Sequence, residues 1–80
     1  MTAEAKSVIL CQDILATRLT QMIADRDCIT HTEAIRKFMA TKTYDLLLDP
    51  ESYLYLESAE YILDMYDAEQ RGDWARWTEA

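Results

Sequence analysis

Glycine and proline are almost missing from this sequence, since each occurs once in 80 residues. Both residues interrupt helices and build turns, so their scarcity, together with the lack of any long apolar/polar alternation, favours helices over strands. Long apolar runs are missing too, which excludes a helix that spans a membrane. The chain does not open on a basic stretch followed by an apolar segment, so we expect no secretory signal and a cytoplasmic protein.

Residue types that carry catalysis are also scarce. The chain has one histidine, His31, and two cysteines, Cys11 and Cys28. Cys28 and His31 have the spacing of a metal-binding pair, but structural zinc needs four ligands, and Cys11 is expected in the core on an apolar stripe. Calcium loops need a glycine at their sharp turn, and the acidic segments contain none. We therefore predict no metal, no cofactor and no enzymatic activity.

Positively charged residues are missing from a long stretch in the second half of the chain. Residues 41–80 hold three basic and ten acidic side chains, so the whole net charge of −7 lies there, and 43–70 contain no Lys or Arg. A negative potential repels phosphate backbones and attracts basic partners. This pattern excludes nucleic acid as the partner and favours a basic protein, with a merely solvated acidic face as the alternative.

The length suffices for one domain, and we predict a single helical domain over 1–80 with an all-α fold. The expected architecture is a small bundle of three main helices, at about residues 3–26, 31–48 and 59–71. Gly72 suits the left-handed position after the third helix. A short C-terminal helical turn is expected to carry Trp74 and Trp77.

Several residues predict where the helices begin and end. Thr30 and Glu33 have the spacing of a capping box, and Ser58 is a good cap for the third helix. Asp49-Pro50 predicts a stop, because a residue before proline avoids helical angles. Within the second helix, the β-branched residues of 41–43 weaken the helix, which either continues through them or is capped anew.

The first helix has apolar residues on two sides. Leu10 and Ile14 are spaced i, i+4 and form a small patch about 100° or more away from the main stripe, so they are the candidate self-association residues and a homodimer is one interpretation. Ile9 and Ile23 lie at the margin of that stripe. The stripe expected to face the core consists of Val8, Cys11, Leu15, Leu19 and Met22.

Tyrosines and acids are interleaved in the second half of the chain. Residues 52–56 alternate and predict a short extended segment that crosses the helices. On the third helix, three acids at i, i+4 and i+7 share one side and form an acidic ridge. Tyrosine is enriched at interfaces because it combines contact area with a polar tip. The candidate partner-binding residues are Tyr53, Tyr55, Glu57, Glu60, Tyr61, Asp64 and Asp67.

A pattern between residues 34 and 62 resembles a family of short bacterial proteins of unknown function. It consists of a helix with Phe38, the run Thr43-Tyr44-Asp45-Leu46-Leu47, and the run Leu54-Tyr55-Leu56-Glu57-Ser58 followed by Tyr61-Ile62. The pattern has glycine where this chain has Tyr53. Some such proteins are encoded beside putative toxins, so the resemblance implies an accessory or antitoxin-like role.

These observations favour a non-enzymatic, acidic, helical protein–protein interaction module. One alternative is a small ligand-binding or metal-binding enzyme subunit whose site forms at a dimer interface from the carboxylates of two chains. Another is a regulator that mimics the negative field of nucleic acid and competes for a DNA-binding protein.

Overall fold

A computed structural model describes residues 3–73, and every regular element in that part of the chain is helical. The all-α prediction is therefore confirmed. The four α-helices are α1 (Ala3–Asp27), α2 (His31–Met39), α3 (Lys42–Leu48) and α4 (Ala59–Arg71), and two 3₁₀ turns, Pro50–Ser52 and Leu54–Leu56, connect α3 to α4. The predicted C-terminal turn at Trp74 and Trp77 lies outside the described residues.

The predicted second helix is two helices. Helix α2 ends at Met39, and Thr41 adopts an extended conformation with φ −99° and ψ 158°. The Thr41 hydroxyl oxygen then accepts the Tyr44 N–H at 3.1 Å and starts α3. The prediction of one helix over 31–48 is thus wrong, because a threonine that caps its own downstream N–H groups competes with helix continuation. The alternative prediction, a new helix cap within residues 41–43, is what the structure shows.

The predicted caps at Thr30 and Ser58 are confirmed, with one of the two bonds of the predicted capping box shown at Thr30. The hydroxyl of Thr30 accepts the N–H of Glu33 at 3.1 Å, and the hydroxyl of Ser58 accepts the N–H of Tyr61 at 3.1 Å. Each cap satisfies one of the N–H groups that a first helical turn leaves without a partner. These two caps set the starting points of α2 and α4.

Helices α1 and α4 end in the same way. Gly72 after α4 has φ 83°, and Cys28 after α1 has φ 57°. In each case the next residue donates its N–H to a carbonyl five residues earlier, Asp73 to Ala68 and Ile29 to Ala24. This is the Schellman motif, whose left-handed position is usually glycine. Gly72 fits it without strain, whereas Cys28 holds a side chain there.

Residues 52–56 are not extended, which corrects the prediction from alternation. The Asp49 carboxylate accepts the Glu51 N–H at 3.0 Å and opens the first 3₁₀ turn, with Pro50 in its first position. Tyr53 then adopts a left-handed conformation, φ 59° and ψ 16°, and the second turn follows at once. Two tight turns therefore occupy the segment in which alternation predicted an extended strand.

The core lies where α1 crosses the three other helices. Phe38 is at its centre, with its ring centroid 5.4 Å from that of Tyr44 and 6.1 Å from that of Tyr66. Helix α1 contacts α2, α3, α4 and the second 3₁₀ turn, and its length matches the longest dimension of the molecule, 38 Å. The fully buried large apolar side chains are Leu19, Ile23, Phe38, Leu47, Ile62 and Tyr66.

The buried side of α1 differs from the predicted stripe. Cys11 is exposed, whereas Gln12 and Thr20 are buried and Ile23, predicted at the margin, is completely buried. Both buried polar side chains have hydrogen-bond partners. The Gln12 amide donates to the Leu48 carbonyl at 3.0 Å, and the Thr20 hydroxyl donates to the Thr17 carbonyl at 2.9 Å. Partnered polar groups are readily buried, so the helix is rotated toward Gln12 relative to the purely apolar prediction.

Candidate functional site

The most exposed apolar side chains of the described residues lie in the second 3₁₀ turn and at its cap. Leu56 is 71% exposed and Tyr53 is 61% exposed. Successive side chains of a 3₁₀ turn point about 120° apart, so Leu54 and Leu56 lie on different sides, and Leu54 is only 7% exposed. The ring centroid of Tyr55 lies 6.2 Å from that of Tyr53. Sequence reasoning selected both tyrosines but missed Leu56, which only the three-residue period of the turn reveals.

Two exposed acids flank these side chains. Glu51 precedes Tyr53 in the chain and Glu57 follows Leu56. Among residues 6–73, no Lys or Arg side chain lies within ion-pair distance of Glu51 or Glu57. We call this set, Glu51, Tyr53, Tyr55, Leu56 and Glu57, the 51–57 surface. It combines apolar area with carboxylates that have no basic partner within the described part of the chain.

Tyr53 holds this surface in an unfavourable backbone conformation. A left-handed φ puts Cβ close to the following carbonyl oxygen and costs roughly 1–2 kcal/mol for residues other than glycine. Side-chain hydrogen bonds nevertheless stabilise the turn. The Ser52 hydroxyl oxygen lies 2.8 Å from the Asp49 carbonyl oxygen and accepts the Leu54 N–H at 3.3 Å. Glycine would relieve the strain, because it has no Cβ. Tyr53 thus combines a left-handed backbone with a side chain in solvent.

The predicted acidic ridge of α4 is partly paired within the molecule. Asp67 lies 2.7 Å from an Arg26 nitrogen, and Glu60 lies 3.6 Å from Arg18, both across to α1. Arg26 donates hydrogen bonds to Asp67 and Asp27, and these bonds raise the pKa of Arg26, with that to Asp67 contributing most; the bond from Arg26 lowers the pKa of Asp27. Asp64 is the ridge residue that is exposed without an ion pair in the described part.

Glu69 has a role that sequence reasoning missed. Its carboxylate accepts the backbone N–H groups of Lys42 and Thr43, both at 2.9 Å, and the Thr43 hydroxyl at 2.8 Å. With the Thr41 cap on Tyr44, the first three N–H groups of α3 all have side-chain partners. A negative charge at a helix N-terminus is also favourable electrostatically. No sequence spacing signals this contact, because it joins residues 26 and 27 positions apart.

Three further predicted residues belong to other elements than the 51–57 surface. Tyr61 is 40% exposed near the start of α4, and Leu10 and Ile14 are 59% and 57% exposed on α1. Their exposure agrees with the positions predicted for them. Whether Leu10 and Ile14 mediate self-association stays a prediction at this point.

The residues considered for metal binding are not brought together. His31 lies against Thr20, with Nε2 and Oγ1 3.0 Å apart, and because the Thr20 hydroxyl donates to Thr17, we assign the proton of this contact to Nε2. Cys11 and Cys28 are both free thiols at the surface. Within residues 3–73, no group of three or more His, Cys, Asp or Glu side chains is placed to hold a metal ion.

One buried polar group lacks a partner. The Tyr66 side chain is 1% exposed, and its hydroxyl makes no hydrogen bond within the described structure. Burial is the main reason that the pKa of this hydroxyl is raised above its ordinary value. The hydroxyl is therefore a local cost to stability rather than a reactive group.

Among known proteins, no family model, curated protein or solved structure matches this chain. The resemblance to short bacterial proteins therefore stays a prediction. Over the described residues, no helix is both long and apolar enough to cross a membrane.

Proposed function

We propose that this chain is a non-enzymatic, acidic interaction module that binds a basic protein through the 51–57 surface. The observation that carries the proposal is Tyr53, whose ring is exposed at the expense of a strained backbone. Strained residues persist where the surrounding structure imposes them, and they concentrate at functional sites. An antitoxin-like protein that covers a basic surface of a toxin is one form of this function.

The carboxylates and the apolar side chains of the 51–57 surface have separate roles in this proposal. Glu51 and Glu57 have no ion pair within residues 6–73, so their field is available to speed the encounter with a basic surface. Tyr53 and Leu56 supply the apolar area that a contact needs at its centre, where aromatic side chains usually contribute most. Asp67 is the weaker candidate, because Arg26 already pairs with it at 2.7 Å, whereas the 3.6 Å contact of Glu60 with Arg18 leaves both side chains 64% exposed.

The test separates function from folding. Tyr53→Gly relieves the left-handed strain and removes the ring, so the variant should be more stable by about 1 kcal/mol and should lose its partner. Cys28→Gly is the matched control: it relieves the same kind of strain at the end of α1, away from the 51–57 surface. Both variants should show a raised melting temperature.

The binding measurement uses both variants as baits beside the wild type, at low and high salt. We expect wild type and Cys28→Gly to capture the same basic protein, and Tyr53→Gly to lose it despite its higher stability. High salt should release the partner, since complementary charge is screened. Equal capture by Tyr53→Gly and wild type, or capture that ignores salt, would contradict the proposal.

A further inference from the structure

The outward side of α1 carries an uncharged line of side chains. Its members recur with the alternating three- and four-residue spacing of a heptad, which places them on one side of a helix. All are exposed, and the two apolar members, Leu10 and Ile14, are 59% and 57% exposed. The line, which we call the α1 seam, consists of Ser7, Leu10, Ile14, Thr17 and Gln21.

Charged residues border the seam with alternating sign. Lys6 and Asp13 lie along one edge, and Arg18 and Asp25 lie along the other, so this face is neutral while the whole chain carries −7. Two copies of an acidic protein repel each other over most orientations. A neutral face with an apolar centre lets them approach without that repulsion.

We propose that the α1 seam pairs with the same seam of a second copy, with the two helices parallel. In a parallel pair of helices, a residue that directly precedes a seam position faces the partner-helix residue whose number is higher by five. Asp13 would then face Arg18 of the partner subunit, and the two-fold axis repeats this pair on the other edge. Both contacts lie beside Ile14, at the middle of the seam. This inference does not depend on the 51–57 surface, which lies outside α1.

The α1 seam is short, so we expect the dimer to be weak. From Ser7 to Gln21 it is roughly 21 Å long at 1.5 Å per residue, and two of its five side chains are apolar. Such a strip is smaller than the roughly 800 Å² per partner of a standard stable interface. The dimer should therefore dissociate in the micromolar to millimolar range. The ion pair of Arg18 with Glu60 is long, at 3.6 Å, and leaves Arg18 largely exposed for the partner.

Charge reversal tests the pairing by sedimentation over that concentration range. Asp13→Arg and Arg18→Asp each place like charges opposite each other, so each variant alone should dimerise at least about tenfold more weakly than wild type. Mixing the two variants should restore association, because each edge then joins opposite charges. A mixture as monomeric as its components, or a wild-type chain that stays monomeric at millimolar concentration, overturns the proposal. Unchanged circular dichroism of each variant verifies that it folds.

A cysteine at the seam tests the parallel orientation. In a chain with Cys11→Ser and Cys28→Ser, both at exposed positions, Thr17→Cys should form a disulfide between copies, because position 17 faces itself only in a parallel pair. Thr32→Cys, exposed on α2, is the control and should remain reduced. Failure of Thr17→Cys to crosslink at concentrations where the chain sediments as a dimer would overturn the parallel arrangement.

Discussion

The acids of α4 and the acids of the 51–57 surface have the same chemistry and different roles. Asp67 and Glu69 are bound within the molecule, to Arg26 and to the first N–H groups of α3. Glu51 and Glu57 are exposed and have no ion pair within residues 6–73. The sequence shows only a long stretch without basic residues. The difference teaches that part of this negative charge holds the fold together, while another part has no ion pair within the described residues.

The largest effect should come from Glu69. Glu69→Ala removes three hydrogen bonds from the start of α3 and should lower the free energy of unfolding by about 2 kcal/mol. Chemical denaturation measures the loss. Glu69→Gln keeps an acceptor oxygen without the charge and should lose less than Glu69→Ala. If Glu69→Ala were as stable as wild type, the acids of α4 would not stabilise the fold, and they would not differ in role from the acids of the 51–57 surface.

Tyr66→Phe should have the next largest effect, and of opposite sign. It removes the buried hydroxyl without a partner, so we expect a gain of up to about 1 kcal/mol in the free energy of unfolding. The raised pKa of Tyr66 means that the unfolded chain loses this proton first. Wild-type stability should therefore fall as the pH rises above 10.0, and the advantage of Tyr66→Phe should widen there. A loss exceeding 1 kcal/mol at neutral pH would instead indicate that an internal water binds the hydroxyl.

Arg26→Gln should be a smaller change. It removes the partner of both Asp67 and Asp27, and exposed ion pairs contribute under about 1 kcal/mol. The lowered pKa of Asp27 gives the sign of the pH dependence: its contribution is present above the ordinary value of 3.8 and is lost as the pH falls through the lowered value. Thermal unfolding of both proteins from neutral to acidic pH should show curves that converge in acid. A gap of constant size across that range would show that Arg26 acts through packing alone.

The parts of this fold that local patterns determine could be predicted. The all-α class follows from the scarcity of glycine and proline, and the caps at Thr30 and Ser58 follow from their spacing to the next N–H groups. The rotation of α1 could not be predicted, because it depends on a bond between Gln12 and the Leu48 carbonyl, 36 positions away. The same holds for the Glu69 cap. Long-range polar contacts leave no periodic signal in a sequence.

The candidate site was predicted in part for a similar reason. Tyr53 was selected for its residue type and its acidic neighbours, which are local features. Leu56 was missed because alternation predicts an extended segment, in which Leu54 and Leu56 share a side. In the 3₁₀ turn the period is three, so Leu54 is buried and Leu56 is exposed. Which of the two leucines is exposed can be recognised only once the turn type is known.

The smallest effect on stability should come from the two acids of the 51–57 surface. Glu51→Gln combined with Glu57→Gln should leave the free energy of unfolding within about 0.5 kcal/mol of wild type, because neither carboxylate has an ion pair within the described residues. Capture of the basic partner should nevertheless weaken at low salt and converge with wild type at high salt, where screening removes the contribution of these charges. Asp45→Asn combined with Asp64→Asn is the matched control, since it removes the same number of charges from exposed side chains that have no ion pair within the described residues but lie on α3 and α4. An equal loss of capture in this control would mean that net charge alone attracts the basic protein, and that the 51–57 surface has no special part in binding it.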